Sequence, residues 1–333
     1  VGKIKGKQTY GIIGPTGPSP IRYLAAMSAP RIVFLGTPDF AVASLDAILQ
    51  AGFEVVGVVT APDRPAGRGM RLTPSAVKDF ALRHGLRVLQ PERLKAPEFL
   101  DELRSLRADL QVVVAFRMLP EAVWAMPPMG TVNLHGSLLP RYRGAAPIQH
   151  AVMNGERETG VTTFRLKHEI DTGDLLLRES IAIGDEETAG ELHDRMKSIG
   201  ADLLVRTLRG LADGSLVPVP QESFSSEELP RAPKIRNEDC RIDWTLPVQR
   251  IHNRVRGLSP SPGAFTEWQG RALKIFRSRP EECPVDAPPG TFQTDGRRSF
   301  RFACPDGWLH VLELQAEGRR RMPVEEFMKG YRA

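Results

Sequence analysis

Asn133-Leu134-His135-Gly136-Ser137-Leu138-Leu139-Pro140-Arg141-Tyr142-Arg143-Gly144 closes an apolar run and opens into a loop marked by proline and glycine. Thr131 to His135 reads as a β-strand, and residues two apart on a strand share a face. Asn133 and His135 therefore project together. A carboxamide beside an imidazole suits acyl chemistry: the amide can hold a developing oxyanion, and the imidazole can add a second donor or move a proton. The same pair also fits a strand that turns its polar residues to water. The loop that follows weighs for the chemical reading.

Upstream of this strand, strand and helix signals alternate. Residues 31–36 (Arg-Ile-Val-Phe-Leu-Gly) read as a buried parallel strand, and Asp39 can cap a helix over Phe40 to Gln50 that ends at Gly52. Glu54 to Ala61 is a valine-rich second strand, Pro62 to Pro74 a long turn, and Ser75 to His84 a helix stopped by Gly85. A short strand at Arg87 to Gln90 precedes a helical face of Phe99, Leu100, Leu103 and Leu106, and Leu110 to Phe116 is a further apolar strand. The alternation predicts an α/β fold with a Rossmann-like, doubly wound, mostly parallel sheet. Gly36 follows the first strand, but there is no GxGxxG, and Pro38 stands where a phosphate-approaching glycine would be needed. A nicotinamide site is poorly supported.

Downstream, Pro147 can open a short helix to Asn154, and Gly160 to Ile170 is strand-like before the turn Asp171-Thr172-Gly173-Asp174. Leu192, Met196, Ile199 and Leu203 line one face of a long helix running toward Gly214. Residues 215–235 hold Pro218, Pro220, Pro230 and Pro233 among serines and acids, a linker composition. Beyond it, Val248, Ile251, Val255 and Leu258 give a short amphipathic helix. Gln269-Gly270, Asp295-Gly296 and Asp306-Gly307 then punctuate short strands, which predicts a small antiparallel barrel. The expected organisation is a catalytic domain over 27–214, a linker over 215–235 and a second domain over 236–333. Residues 1–26 carry Lys3, Lys5, Lys7 and Arg22 but no acid, and the first acid is Asp39. They are expected to be a mobile extension outside the fold, with a natural start at Met27 as one explanation.

The chain has 333 residues, 41% hydrophobic and 26% charged, which suits a soluble protein of two domains. A net charge of +5 permits a polyanionic partner without demanding one. No apolar run reaches the length of a transmembrane helix. The three cysteines include no CxxC pair and read as reduced packing residues of a cytoplasmic protein. None of the seven histidines has HExxH or another ligand spacing, so no metal is expected. No interface helix stands out, and a monomer is expected.

Asn-x-His followed by Ser-Leu-Leu-Pro resembles the folate-binding segment of the formyltransferases that use 10-formyltetrahydrofolate. The run Arg141-Tyr142-Arg143-Gly144-Ala145-Ala146-Pro147-Ile148 is similar to the branch that acts on methionyl-tRNA. So are Gly36-Thr37-Pro38-Asp39-Phe40 and Pro62-Asp63-Arg64-Pro65-Ala66-Gly67-Arg68-Gly69. The resemblance covers the chain from about Arg31 to its end. It implies an OB-like barrel as the second domain and a catalytic set of Asn133, His135 and Asp171. A carboxylate beside an imidazole favours the protonated ring. Loops at the carboxyl ends of parallel strands converge on one crevice, which is where Asp171 would meet His135. The implied co-substrate is 10-formyltetrahydrofolate. Ser137, Leu138, Leu139 and Pro140 would shape its pocket, with the two leucines as an apolar wall. Phe116, Arg117, Met118 and Leu119 would face it from the neighbouring strand end. That segment departs from the commoner Tyr-Gly form and resembles the glycinamide ribonucleotide cousins. The implied partner is initiator methionyl-tRNA, formylated for translation initiation, with Arg64, Arg68 and Arg71 entering its acceptor end. Arg250 and Arg254, one helical turn apart, would add a phosphate-contacting stripe or be a solvated face. Ser137 lacks the GxSxG elbow of a nucleophile.

Three rival readings differ in class. A sugar-nucleotide amine or glycinamide ribonucleotide as acceptor is opposed by the arginine loop and the basic second domain. A non-catalytic RNA-binding protein is opposed by the intact Asn133, His135 and Asp171. A nicotinamide oxidoreductase is opposed by the missing glycine fingerprint.

Overall fold

The computed structural model describes residues 29–66, 71–221 and 229–330, without the side chains of Ala66 and Arg71. The expectations for residues 1–26 and for Arg68 fall outside it. The first part of the chain runs β1 (Ile32–Gly36), α1 (Asp39–Gln50), β2 (Val55–Val59), β3 (Arg64–Ala66), β4 (Arg71–Thr73), α2 (Ala76–Arg83), β5 (Val88–Leu89) and α3 (Pro97–Ser105). It continues with β6 (Leu110–Val114), α4 (Glu121–Trp124), β7 (Thr131–His135), β8 (Arg143–Gly144), α5 (Pro147–Met153), β9 (Glu158–Arg165), β10 (Leu175–Ala182) and α6 (Ala189–Ala212). The main sheet has the order β10-β9-β7-β6-β1-β2-β5. The pairs from β5 through β7 are parallel, and those of β7 with β9 and β9 with β10 are antiparallel.

β1 and β6 are buried on both faces, which is why they read as unbroken apolar runs. Ile32 and Phe34 pack into the layer of α1 and α6, while Val33 and Leu35 pack toward Phe99 and Leu103 of α3. α6 begins with a reciprocal cap: the Thr188 side chain accepts from the Glu191 N–H, and Glu191 reaches back to the Thr188 N–H.

Two local expectations need correction, and two further features were not expected. Asp39 is the first residue of α1 rather than its cap, and its carboxylate pairs with Lys197 on α6. The segment 62–74 is not plain turn but carries the β3–β4 hairpin. Leu175 to Ala182, unread from sequence, forms the edge strand β10. Residues with linker composition lie on the main sheet's side of the molecule. Val219 bridges Leu175, Gln221 is only 1% exposed, and β11 (Arg231–Ala232) pairs in parallel with β8.

The remainder comprises α7 (Val248–Gly257), β12 (Ala264–Trp268), β13 (Arg271–Glu282), β14 (Phe292–Thr294), β15 (Phe300–Cys304), β16 (Gly307–Ala316), β17 (Met322–Pro323) and α8 (Val324–Lys329). The strands form a curled antiparallel sheet, an OB-like half-barrel, in the order β12-β13-β16-β15-β14 with β17 on β16. Gln269 and Gly270 both take positive φ, 50° and 71°, as a tight right-twisted hairpin turn requires. Val248, Ile251 and Val255 of α7, with Leu258 just after it, fill this sheet's core with Ile275, Phe300 and Leu309. α7 also meets α5: a Cβ on Gly257 would stand 2.4 Å from Met153 Cγ. Arg256, 5% exposed, donates to the carbonyls of Gly184 and Glu187 ahead of α6.

Candidate active site

β7 delivers Asn133 and His135 to one face at the carboxyl edge of the sheet, next to the loop that leaves β6. Asn133 is half-buried, and its carboxamide has no hydrogen-bond partner among the described residues. His135 is 7% exposed. Its Nε2 lies 2.9 Å from the Tyr142 carbonyl oxygen. A carbonyl only accepts, so Nε2 carries the hydrogen. In the neutral ring the free lone pair is then on Nδ1, which sits 3.9 Å from Asp171 Oδ2. Phe164 stands edge-on to the imidazole.

Asp171 reaches this point by a route that the sequence argument did not foresee. β9 runs antiparallel to β7, with Arg165 opposite Val132 and Thr162 opposite His135. β9 therefore ends beside the start of β7, away from the site, and the loop 166–174 must double back. Gly173 makes that possible: a Cβ there would fall 1.6 Å from the Arg165 carbonyl oxygen. Asp171 itself has φ 55°, a left-handed conformation that costs a non-glycine residue about 1 kcal/mol or more. Its Oδ2 accepts the Gly144 N–H at 2.9 Å.

Several residues around this set had no role assigned from the sequence. Gln221 donates Nε2 to the carbonyls of Asp171 (2.8 Å) and Gly173 (2.7 Å) and accepts from Arg143 through Oε1. Tyr142 has φ 59°, and its N–H donates to the Pro230 carbonyl. Its hydroxyl donates to Glu156 at 2.6 Å and accepts from Asn154. Burial, reinforced by Glu156, pushes the Tyr142 phenol up to about 12. Thr162 donates to the Ser137 carbonyl and accepts from the Leu139 N–H, which fixes the loop after β7. Only the positive φ of Gly144 had a readable cue, its glycine.

The expected pocket residues divide. Ser137 is fully buried and donates to the Arg141 carbonyl. Leu139 is fully buried against Phe164 and Leu175, and Pro140 is buried. An apolar wall of two leucines is therefore not what forms: Leu139 presents no surface, and only Leu138 is partly open. In the loop after β6, Phe116 and Leu119 pack on the α3 side, while Met118 is 74% exposed. Arg117 donates to the carbonyls of Glu92 and Pro91. Burial, then the charge of Arg64, holds its guanidinium below the usual range. Arg64 is exposed on β3, and Asp63 beside it is anchored by Lys78 and Gln90. Arg250 is exposed, but Arg254 is half-buried and donates to the Asp239 carbonyl, so the two do not form a pair of free guanidinium groups.

Residues 30–208 match the family described as Formyl transferase, and residues 234–332 match Formyl transferase, C-terminal domain. A protein of Bacteroides fragilis named methionyl-tRNA formyltransferase is 49% identical over 307 residues, 90% of this chain and 95% of its own length. One of the same name from Parabacteroides distasonis is 51% identical over 310 residues, 91% of this chain and 96% of its own length. The chain belongs to the methionyl-tRNA formyltransferase family. Among solved structures, the fold is shared with HypX from Aquifex aeolicus in complex with tetrahydrofolic acid: TM-score 0.61, 21% identity, over 91% of this chain. This chain spans about half of HypX, 48% of its length. The sugar 3N-formyl transferase WlaRD has the same TM-score at 20% identity, covering 88% of this chain and 99% of its own. Family membership accounts for the two-part architecture, a mostly parallel sheet followed by a curled antiparallel one.

Proposed function

We propose that this chain transfers the formyl group of 10-formyltetrahydrofolate to the α-amine of methionine on initiator methionyl-tRNA, giving the formylmethionyl-tRNA used in translation initiation. The observation that carries this reading is the meeting of an unpartnered Asn133 carboxamide, His135 with Nε2–H fixed, and Asp171. The amine attacks the formyl carbon and the carbonyl electron pair moves to oxygen. Asn133 donates to that oxyanion, and His135, once protonated on Nδ1, adds a second donor balanced by Asp171. Asp171, directly or through water, takes the amine proton. Collapse breaks the bond to N10, which takes up the proton that Asp171 removed from the amine, passed on directly or through water. No covalent enzyme intermediate is needed, consistent with Ser137 being buried and hydrogen-bonded. Holding amine and formyl carbon together contributes by removing the entropy of their encounter.

In this reading the folate lies near Leu138 and the exposed part of the 116–119 loop, Arg117 and Met118. The tRNA acceptor end meets Arg64 on the β3–β4 hairpin together with Arg68 and Arg71, and Arg250 offers a phosphate contact further along. The domain limits proposed above, at 214 and 236, stay as working limits. The protein acts in the cytoplasm as a monomer, for which light scattering should return 36.8 kDa. None of the described helices is long and apolar enough to cross a membrane. The direct test mixes the protein with 10-formyltetrahydrofolate and methionine-charged initiator tRNA and follows formylmethionine, with free methionine and a sugar-nucleotide amine as alternative acceptors. Product on the charged tRNA alone is expected. Product only on the sugar nucleotide would refute the RNA part of the reading.

A further inference from the structure

The catalytic carboxylate proposed above is held by a residue from outside the two sheets. Asp171 sits on a loop that doubles back from the wrong end of β9, and its backbone is in a left-handed conformation. Such a conformation persists only when the surroundings determine it. Its bonds are few: the Gly144 N–H to the carboxylate, and the Gln221 amide to the backbone carbonyls of Asp171 and Gly173. Gln221 is 1% exposed and uses every polar atom it has. Both Nε2 hydrogens go to the 171–173 loop, and Oε1 receives Nε (3.1 Å) and one Nη (2.6 Å) of Arg143. Arg143 directly precedes Gly144, whose N–H meets Asp171, and follows Tyr142, whose carbonyl fixes His135 Nε2–H. One side chain thus links the loop that carries Asp171 to the segment that orients both Asp171 and His135.

We infer that Gln221, in the segment between α6 and β11, is a positioning residue for formyl transfer that sets the Asp171 carboxylate against His135. It touches neither substrate in this account, and the inference rests on the reading of function given above. Two further contacts fit the role. Tyr142 N–H donates to the Pro230 carbonyl at 2.7 Å, and Ala146 N–H donates to that of Ala232. The stretch that bears Gln221 therefore grips the 142–146 segment again after residue 229. A side chain that only filled space would not need four hydrogen bonds to two loops. Gln221 has them, and each ends on a group adjoining the catalytic set.

The test uses the full chain, with Gln221→Met and Gln221→Glu each made in the wild type and in Asp171→Ala. Methionine keeps the bulk and loses all the bonds. Glutamate keeps an acceptor for Arg143 but loses both amide hydrogens to the loop. The expected result is a kcat lower by on the order of 10- to 100-fold for both variants, the scale of displacing a reacting group by about 1 Å. KM values for folate and for charged tRNA should hold within about threefold, because the ground-state contacts lie elsewhere. In the Asp171→Ala background the same substitutions should lower kcat no further, since the group they position is gone. Wild-type kcat in Gln221→Glu would overturn the inference, and so would an equal fall in both backgrounds, which a structural role produces. If the methionine variant does not fold, the glutamate variant decides. A wild type with no transfer activity would remove the reading of function itself. An active wild type with indifferent Gln221 variants would remove only the positioning role.

Discussion

Replacing Asn133 by alanine separates chemistry from architecture more cleanly than any other change at this site. The Asn133 carboxamide makes no hydrogen bond within the described protein, and the residue is only half-buried. Truncation therefore breaks no native bond, and the folding cost should stay within about 0.5 kcal/mol. On a domain of this size that moves Tm by roughly 2 °C or less. What is lost is a donor aimed at charge that exists only in the transition state, worth about 2.7–4 kcal/mol, or 10²- to 10³-fold in kcat. Because the ground-state formyl oxygen is not an anion, KM for either substrate should change little. Asn133→Asp should fall further, since it keeps the shape and sets a negative charge beside the oxyanion. The assay is steady-state formylation of charged initiator tRNA, with thermal unfolding on the same samples. Turnover within about tenfold of the wild type, or a loss confined to KM, would refute the assignment of Asn133 to the oxyanion.

Further outcomes follow from the surroundings. Gly173→Ala should cost more than about 2 kcal/mol of stability or shift the 166–174 loop, because its Cβ would collide with the Arg165 carbonyl oxygen at 1.6 Å; kcat should fall with it, read by unfolding and by the same assay. The Tyr142 phenol is raised from 10.0 to about 12 in the fold, so below pH 10 both states hold the proton and stability is undiminished. Between pH 10 and 12 only the unfolded state ionises, and up to about 2–3 kcal/mol is lost; the drop should vanish in Tyr142→Phe when stability is followed by denaturant titration. Burial lowers the pKa of His252 from 6.5, against the opposing pull of Glu186 at 3.8 Å. The stability it contributes is present above pH 6.5 and is lost as pH falls, at up to about 1.4 kcal/mol per pH unit, a slope that His252→Gln should flatten.

The parts of the molecule legible in its sequence are those governed by short-range periodicity. β1 and β6 are buried on both faces, so their apolar runs announced a parallel sheet, and the two-residue spacing of Asn133 and His135 put them on one face. The Gln269-Gly270 turn needs positive φ at both positions and reads directly as a hairpin. β10 was missed because Leu-Leu-Leu-Arg-Glu-Ser-Ile-Ala mixes a buried start with an edge strand's alternation. Asp171 was reachable only through the family resemblance: convergence at strand ends requires a parallel β9, and β9 is antiparallel. Leu139 looks like a ligand wall because it sits in an exposed-looking loop motif, yet Phe164 and Leu175 cover it. Gln221 was beyond reach for a different reason. Its amide donates to two backbone carbonyls, 48 and 50 positions upstream, which leave no mark on composition, and its one side-chain partner, Arg143, lies 78 positions away.

The proline-rich stretch between the sheets also changes what its composition means. Prolines and serines predict a segment that cannot pack on its own, and that holds here: 215–221 and 229–232 form no layer of their own. They are ordered by what they touch. Gln221 and Pro230 address the loops at Asp171 and Tyr142, while Ala232 pairs with Gly144 so closely that a Cβ on Gly144 would stand 2.3 Å from its carbonyl oxygen. The glycine at 144 thus serves two demands at once: it admits Ala232, and with φ 130° it presents its N–H to Asp171. Arg256 meanwhile ties α7 to the turn before α6, so the half-barrel is fixed to the main sheet's domain at a point separate from the site. With that anchor elsewhere, the intervening stretch does not have to hold the two parts together. It is left free to close the site, which is why a segment of linker composition carries a buried, fully bonded glutamine.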